Sequence, residues 1–264
     1  MPTRLVIKMG GGLISDKSSM KKFEPEAVRR VVDALSSASE MGVSIILVHG
    51  AGSFGHLLAK KWGIAGGVES GISERQREAV SEIRSDMREL NGLVVEEFEV
   101  LGMKCSSYPP SKWATGTGPS FKGDVSIFDV DTGEPTPVTF GDVVDTDDPR
   151  EFGILSGDDL MLRISSELEV SHCIFLIGDA EGALSGPPDE DGSKLIEELR
   201  SPSQIKGKHQ ADIDVTGGIS LKVERALEIS KKVGEVWIID GRKPERILEL
   251  LTSGKTTGTK IWHG

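Results

Sequence analysis

Apolar residues along this chain follow two alternating periods, and the switches between them divide it into strands and helices. Leu5-Val6-Ile7 lies in a strand pattern over 4–9, followed by a helical pattern over 25–41 in which Val28, Val31, Val32, Leu35 and Ala38 recur on one face. Pro25 suits the first turn of that helix, where its missing N–H costs nothing. A strand at 43–49 comes next. Its run Ile45-Ile46-Leu47-Val48 has no polar alternation, as expected of a strand covered on both faces. A short helix from about Gly55 to Trp62 and a long one from about Ser73 to Leu101 follow. The long one carries Val80, Ile83, Met87, Leu90, Val94 and Phe98 in a stripe, and Ser73 with Gln76 reads as a capping box at its start.

Between roughly 103 and 153 the pattern breaks into short strands at 103–107, 125–129 and 136–144, with Asp131-Thr132-Gly133-Glu134 as a hairpin signal between the last two. Regular alternation then returns. Ile154-Leu155 leads into a helix at 157–168, and His172 to Ile177 is a buried-type strand. A helix at 218–233, a strand at 235–239, a helix at 244–252 and a strand near 259–262 complete the order. Strands alternating with helices predict an α/β domain with a mostly parallel sheet. Pro187-Pro188 with the acidic stretch at 189–193, and the Gly/Thr-rich stretch at 115–120, read as solvated loops.

Composition narrows the picture. With 264 residues the chain can bury a core of its own, and with only 5% aromatic residues that core must rest on Val, Ile, Leu, Ala and Met. The formal charge is −11, from 42 acidic against 31 basic residues, and the basic ones form no run. That argues against nucleic acid as a partner. The longest apolar run, Ile45 to Val48, is far short of the ~20 residues of a membrane helix. The N-terminus also lacks a signal-peptide core, so a soluble cytoplasmic protein is expected. Cys105 and Cys173 read as buried thiols. His172, His209 and His263 have no cluster partner, so no metal site is expected.

The candidate chemistry lies in three glycine-rich entries to helices. Lys8-Met9-Gly10-Gly11-Gly12 follows the first strand, with Lys17 shortly after. His49-Gly50-Ala51-Gly52-Ser53-Phe54-Gly55-His56 follows the second. Asp214-Val215-Thr216-Gly217-Gly218-Ile219 opens the helix that carries Lys222. Glycines let a ligand approach the backbone, and a helix start offers free N–H groups to an anion. Three such entries accompanied by lysines suggest several phosphates, as in an enzyme that holds a nucleotide and a phosphorylated acceptor. His49 itself reads as a core residue.

These motifs, together with Ser156-Gly157-Asp158-Asp159, resemble in kind and order the amino acid kinase superfamily. Within it the histidine of Gly52-Ser53-Phe54-Gly55-His56 is most like that of the isopentenyl phosphate kinases. The resemblance implies a three-layer α/β/α sandwich and a single domain over 1–264, with roughly 1–170 holding the acceptor and phosphates and 171–264 the nucleotide. ATP and Mg2+ are the implied cofactors, isopentenyl phosphate the implied acceptor, and a homodimer the implied assembly. By the same resemblance Lys8, Lys17 and Lys222 serve the transferring phosphate, with Asp158 or Asp159 holding the lysines. Gly10, Gly11, Gly12, Ala51, Asp179, Gly182, Gly217 and Gly218 contact the nucleotide. Gly50, Gly55, Gly157 and Asp158 line the acceptor, and His56 binds its phosphate. No general base is required, since a phosphate monoester is already ionised with a second pKa of about 6.

The sequence departs from the family pattern at Gly12, commonly serine, at Ala51, commonly glycine, and at Gly178 and Glu181 in Ile177-Gly178-Asp179-Ala180-Glu181-Gly182-Ala183-Leu184. A tail pocket could be built by the long helix with Ile64, Ala65, Ile83, Met87 and Ile154, each of which alone also reads as core. A kinase for another phosphate or a phosphonate such as fosfomycin, a nucleoside monophosphate kinase, and a nucleotide-binding protein without transfer activity remain the alternatives.

Overall fold

The computed structural model describes residues 3–16, 19–188, 190–205 and 218–263. Its strands are β1 (Thr3–Met9), β2 (Val43–His49), β3 (Cys105–Ser107), β4 (Thr136–Phe140), β5 (Asp142–Asp145), β6 (Phe152–Leu155), β7 (His172–Ile177), β8 (Glu198–Leu199), β9 (Glu235–Asp240) and β10 (Thr259–Ile261). Eight of them form one sheet in the order β3-β4-β2-β1-β7-β9-β10-β8, and β5 and β6 form a separate antiparallel pair. Every pairing in the main sheet is parallel except β9 with β10.

The helices are α1 (Gly11–Ile14), α2 (Pro25–Glu40), α3 (Gly52–Lys61), α4 (Ser73–Val100), α5 (Gly157–Glu167), α6 (Gly218–Ser230) and α7 (Glu245–Ser253). Side chains of a strand alternate between its faces, so each central strand contributes to two cores. Leu5, Ile7 and Met9 of β1 pack with Val28, Val32 and Leu35 of α2, Leu90 and Val94 of α4 and Ile247 of α7. Val6 of β1 and Val48 of β2 pack on the opposite face with Leu160 and Ile164 of α5 and Val223 and Ala226 of α6. The result is the predicted three-layer sandwich with a mostly parallel sheet.

Local differences from the sequence reading have physical causes. The predicted strand at 125–129 is a 3-10 helix over Val125–Phe128, capped by the Asp124 side chain, which accepts from Ser126 N at 2.9 Å. The hairpin signal at 131–134 therefore joins no strand pair. The predicted strand at 136–144 breaks at Gly141 into β4, inside the main sheet, and β5, which leaves it to pair with β6. Ser73 and Gln76 form no capping box. Ile72 is the N-cap of α4, and the buried Gln76 amide accepts from Glu69 N while donating to the carbonyls of Trp62 and Gly67. The short helix begins at Gly52 rather than near Gly55. Cys173 is buried, whereas Cys105 is only partly so.

Candidate active site

The carboxyl ends of β1, β2 and β7 open into one cleft of about 630 Å³. β1 stands between β2 on one side and β7 on the other. That is the point where successive crossovers diverge and where open α/β sheets place their ligands. Lys8, the last residue but one of β1, lies on the face toward α5 and α6, and there it meets a carboxylate. Its Nζ lies 2.6 Å from Oδ1 of Asp158, the second residue of α5, and Lys222 Nζ on α6 lies 3.2 Å from the same oxygen. All three groups are buried. Burial works to raise the Asp158 pKa, but Lys222 and Lys8 outweigh it and hold the carboxyl at about 2. The carboxylate is therefore charged throughout the physiological range, and it keeps two cations side by side facing the cleft.

Asp159 does not share this role. Successive helical residues point about 100° apart, so only one of the two aspartates can face the cleft. Asp159 accepts from Arg225 Nε at 2.7 Å and from the Ser156 hydroxyl at 2.7 Å, while Ser156 Oγ caps the helix by accepting from Asp159 N. The lysines are thus held by Asp158, and Asp159 ties α6 to the start of α5.

The two N-terminal glycine loops interlock backbone to backbone. A methyl group added at Gly11 would stand 2.5 Å from Gly52 N, and one at Gly50 would stand 2.6 Å from Gly11 N. Gly52 has φ +50°, a left-handed conformation that glycine adopts without strain. Ser15 Oγ locks the pair by accepting from Ser53 N at 2.8 Å and donating to Gly11 O at 2.9 Å. Among the described residues, no acceptor stands opposite the N–H groups of Gly11, Gly12, Ala51 and Gly52, all four of which border the cleft.

Gly10, Gly55, His56, Gly157, Asp179, Gly182 and Gly218 border the same cleft. The structure therefore brings together every predicted site residue that it describes, apart from Asp159. Lys17 and Gly217 lie outside the described residues. Two of the departures from the family pattern are accommodated. A side chain at Gly178 would run into Gly12 O at 2.6 Å, so the first turn of α1 requires a glycine there. Glu181 pairs with Lys243 at 2.8 Å and with Arg246.

One end of the cleft is apolar, bordered by Leu57, Ala59, Ile83, Met87, Val143 and Ile154. Of the residues that read either as tail pocket or as core, Ile83, Met87 and Ile154 border the cleft, Ile64 is in the core and Ala65 is exposed to solvent. Sequence reasoning missed Asp142, a buried carboxylate bordering the cleft that accepts from Ser111 N at 3.2 Å and Val143 N at 2.8 Å, its pKa raised by burial. The signal available was Gly141-Asp142 directly after an apolar strand.

The amino acid kinase family pattern matches residues 3–240. The chain belongs to this family. It is 32% identical to the isopentenyl phosphate kinase of Thermoplasma acidophilum, over 92% of this chain and 94% of that one. With the isopentenyl phosphate kinase of Methanothermobacter thermautotrophicus it shares 28% identity over 97% and 98% of the two chains. Among solved structures, an isopentenyl phosphate kinase superposes with a TM-score of 0.84 at 26% identity, covering 98% and 99% of the two chains. The product complex of the T. acidophilum enzyme superposes with a TM-score of 0.80 at 29% identity, covering 98% and 100%. Within the family, then, the chain groups with the isopentenyl phosphate kinases.

Proposed function

We propose that the protein transfers the γ-phosphoryl group of ATP to isopentenyl phosphate, giving isopentenyl diphosphate and ADP. The observation that carries this reading is the pair Lys8 and Lys222 on one Asp158 oxygen, in a cleft bordered both by the glycine-loop N–H donors and by apolar side chains of α3 and α4. Phosphoryl transfer needs little covalent help from a protein; it needs two polyanions held in line and the charge on the equatorial oxygens stabilised. Lys8 and Lys222 supply that charge, assisted by the N–H groups of Gly11 and Gly12. Asp158 keeps the two ammonium groups from repelling one another before substrate arrives. His56, in the first turns of α3 and on the cleft wall, donates a hydrogen bond to the acceptor's phosphate, and the Met87 and Ile83 side receives the five-carbon tail.

The remaining roles extend the same reading. Residues 171–264 hold the nucleotide, with Asp179 and Gly182 at its end of the cleft, and residues 1–170 hold the acceptor. Among the described residues no group of three or more His, Cys, Asp or Glu side chains converges on a metal position, and Asp158 is committed to two lysines. The metal accordingly enters as part of the MgATP substrate, since Mg2+ is usually held by nucleotide phosphates with one or two carboxylates. No described helix is long and apolar enough to cross a membrane. A cytoplasmic homodimer is the assembly this reading carries, and sedimentation checks it.

The test is ADP release with MgATP and a panel of isopentenyl phosphate, dimethylallyl phosphate, fosfomycin, uridylate and N-acetylglutamate. Preference for isopentenyl phosphate is the expected outcome; preference for a carboxylate would overturn the acceptor assignment. His56→Ala should then cripple transfer to isopentenyl phosphate, and His56→Gln, which can still donate, should retain part of it. Parental turnover in the alanine variant would remove His56 from the site.

A further inference from the structure

The histidine that ends β2, read from sequence as core, makes an arrangement that packing alone does not explain. His49 is fully buried and stacks on Phe140 with ring centroids 4.9 Å apart. Its Nδ1 lies 3.0 Å from the carbonyl oxygen of Gly50, the next residue and the first of the second glycine loop. Burial depresses its pKa to about 4, against the opposing pull of the Gly50 carbonyl and the Asn91 amide, so the ring is neutral at physiological pH. A neutral imidazole carries one proton, and the Gly50 contact requires it on Nδ1. Nε2 is then an acceptor. It is buried without a partner, and so is Oδ1 of Asn91, the α4 residue whose side chain meets this ring.

Two buried acceptors facing each other are costly, and one rotation removes the conflict. Turning the Asn91 amide over about its last bond, an exchange of nitrogen for oxygen at equal size, presents Nδ2 rather than Oδ1 to the His49 ring. Oδ1 then accepts from the Ser107 hydroxyl, which lies 2.9 Å from that end of the amide. The outcome is a directed polar sequence, with Ser107 O–H on the Asn91 oxygen, the Asn91 N–H groups toward His49, and His49 Nδ1–H on the Gly50 carbonyl.

The far end of this chain bears on the cleft. A phosphate cradle needs N–H groups turned inward and carbonyl oxygens turned away, because a carbonyl dipole aimed at an anion repels it. Gly50 N is tied to Met9 O at 2.9 Å, and Gly50 O is drawn to a ring buried outside the cleft. The next two N–H groups, of Ala51 and Gly52, remain for a ligand. We propose that His49 is a positioning residue. Held as the Nδ1–H tautomer by Asn91, it keeps the Gly50 carbonyl out of the phosphate path and so sets the direction of the loop.

The proposal rests on the kinase reading only for its kinetic arm. Proton–nitrogen correlation spectra of the histidine rings test it directly. Expected is one neutral ring with its proton on Nδ1, unchanged down to about pH 5. With the His49 ring assigned by the signal that His49→Phe removes, a proton on its Nε2, or a second proton gained near pH 6.5, overturns the proposal whether or not any acceptor is phosphorylated. In the kinetic arm, His49→Phe keeps the ring stacking and removes the donor, His49→Asn restores a nitrogen at the Nδ1 position, and His49→Gln places it at the Nε2 position instead. The expected result is a loss of tenfold or more in kcat/KM for Phe and Gln, with Asn recovering most of it at comparable melting temperatures. Equal activity in Phe and Asn, or recovery by Gln alone, overturns it.

Discussion

Replacing Asp158 with asparagine isolates the electrostatic centre of the site. The substitution keeps shape and one acceptor oxygen but leaves Lys8 and Lys222 buried beside a neutral group. In the parent, the carboxyl sits at about 2 in the folded protein, against about 3.9 in an unfolded chain. A difference of nearly two units corresponds to about 2.5 kcal/mol. Two ammonium groups 2.6 and 3.2 Å from one oxygen stand no more than about 5.8 Å apart and repel by about 3 kcal/mol at an effective dielectric of ~20, a repulsion the amide no longer offsets. A loss of about 3 kcal/mol at pH 7 follows, in keeping with other truncated buried pairs, and a fall in melting temperature of roughly 6 to 12 °C. Because the folded pKa is depressed, the parent's advantage is full above the unfolded value and fades as pH falls through the folded one. The gap between parent and variant should be nearly complete at about pH 5 and halved near pH 3. Thermal melts of both proteins across that range measure it. Pyrophosphate should narrow the gap at pH 7, since a bound anion supplies the missing negative charge. Equal melting temperatures at pH 7, or a gap that does not close in acid, would refute the reasoning.

Other substitutions test separate parts. Gly11→Ala places a methyl group 2.5 Å from Gly52 N and must push the glycine loops apart, so kcat should fall by about a hundredfold while the far-ultraviolet spectrum is unchanged. Lys222→Met removes one cation and should lower kcat by about 2.7 to 4 kcal/mol of transition-state stabilisation, with little effect on the apolar end of the acceptor site. Arg225→Leu leaves Asp159 buried without its cation and should cost about 3 kcal/mol in denaturant unfolding at pH 7. A loss under about 1 kcal/mol would mean that the Ser156 cap alone suffices for Asp159.

Much of this architecture is legible in the sequence, because buried parallel strands and glycine-rich turns are both local signals. Leu5-Val6-Ile7 with Gly10 to Gly12, and Ile45 to Val48 with Gly50 to Gly55, fix two strands, two turns and the end of the sheet where the cleft opens. What was not legible depends on distant partners. Asp158 and Asp159 are equivalent as a pair of letters, and only the approach of Lys222 and Arg225 from α6 tells them apart. Ser73 and Gln76 have the spacing of a cap, yet the Gln76 amide is used by the 62–69 loop. At Gly141 the last rung of the β2–β4 ladder, Gly141 N to His49 O at 3.1 Å, gives way to the pairing of Asp142 with Leu155, a change of partner between segments far apart in sequence.

The central place of β1 also affects how the chain is made. One edge of β1 pairs with Val43–His49, which leaves the ribosome soon after it; the other pairs with His172–Ile177. At synthesis rates of about 5 to 20 residues per second, the second partner arrives roughly ten seconds or so later. Until then Leu5, Val6 and Ile7 form an open apolar edge of the kind that recruits other chains. The strand that carries Lys8 thus precedes the other strands of its sheet but gains its second neighbour only after β2 and β4 have theirs, and a chain cut short before residue 172 would carry the lysine but no finished sheet to hold it.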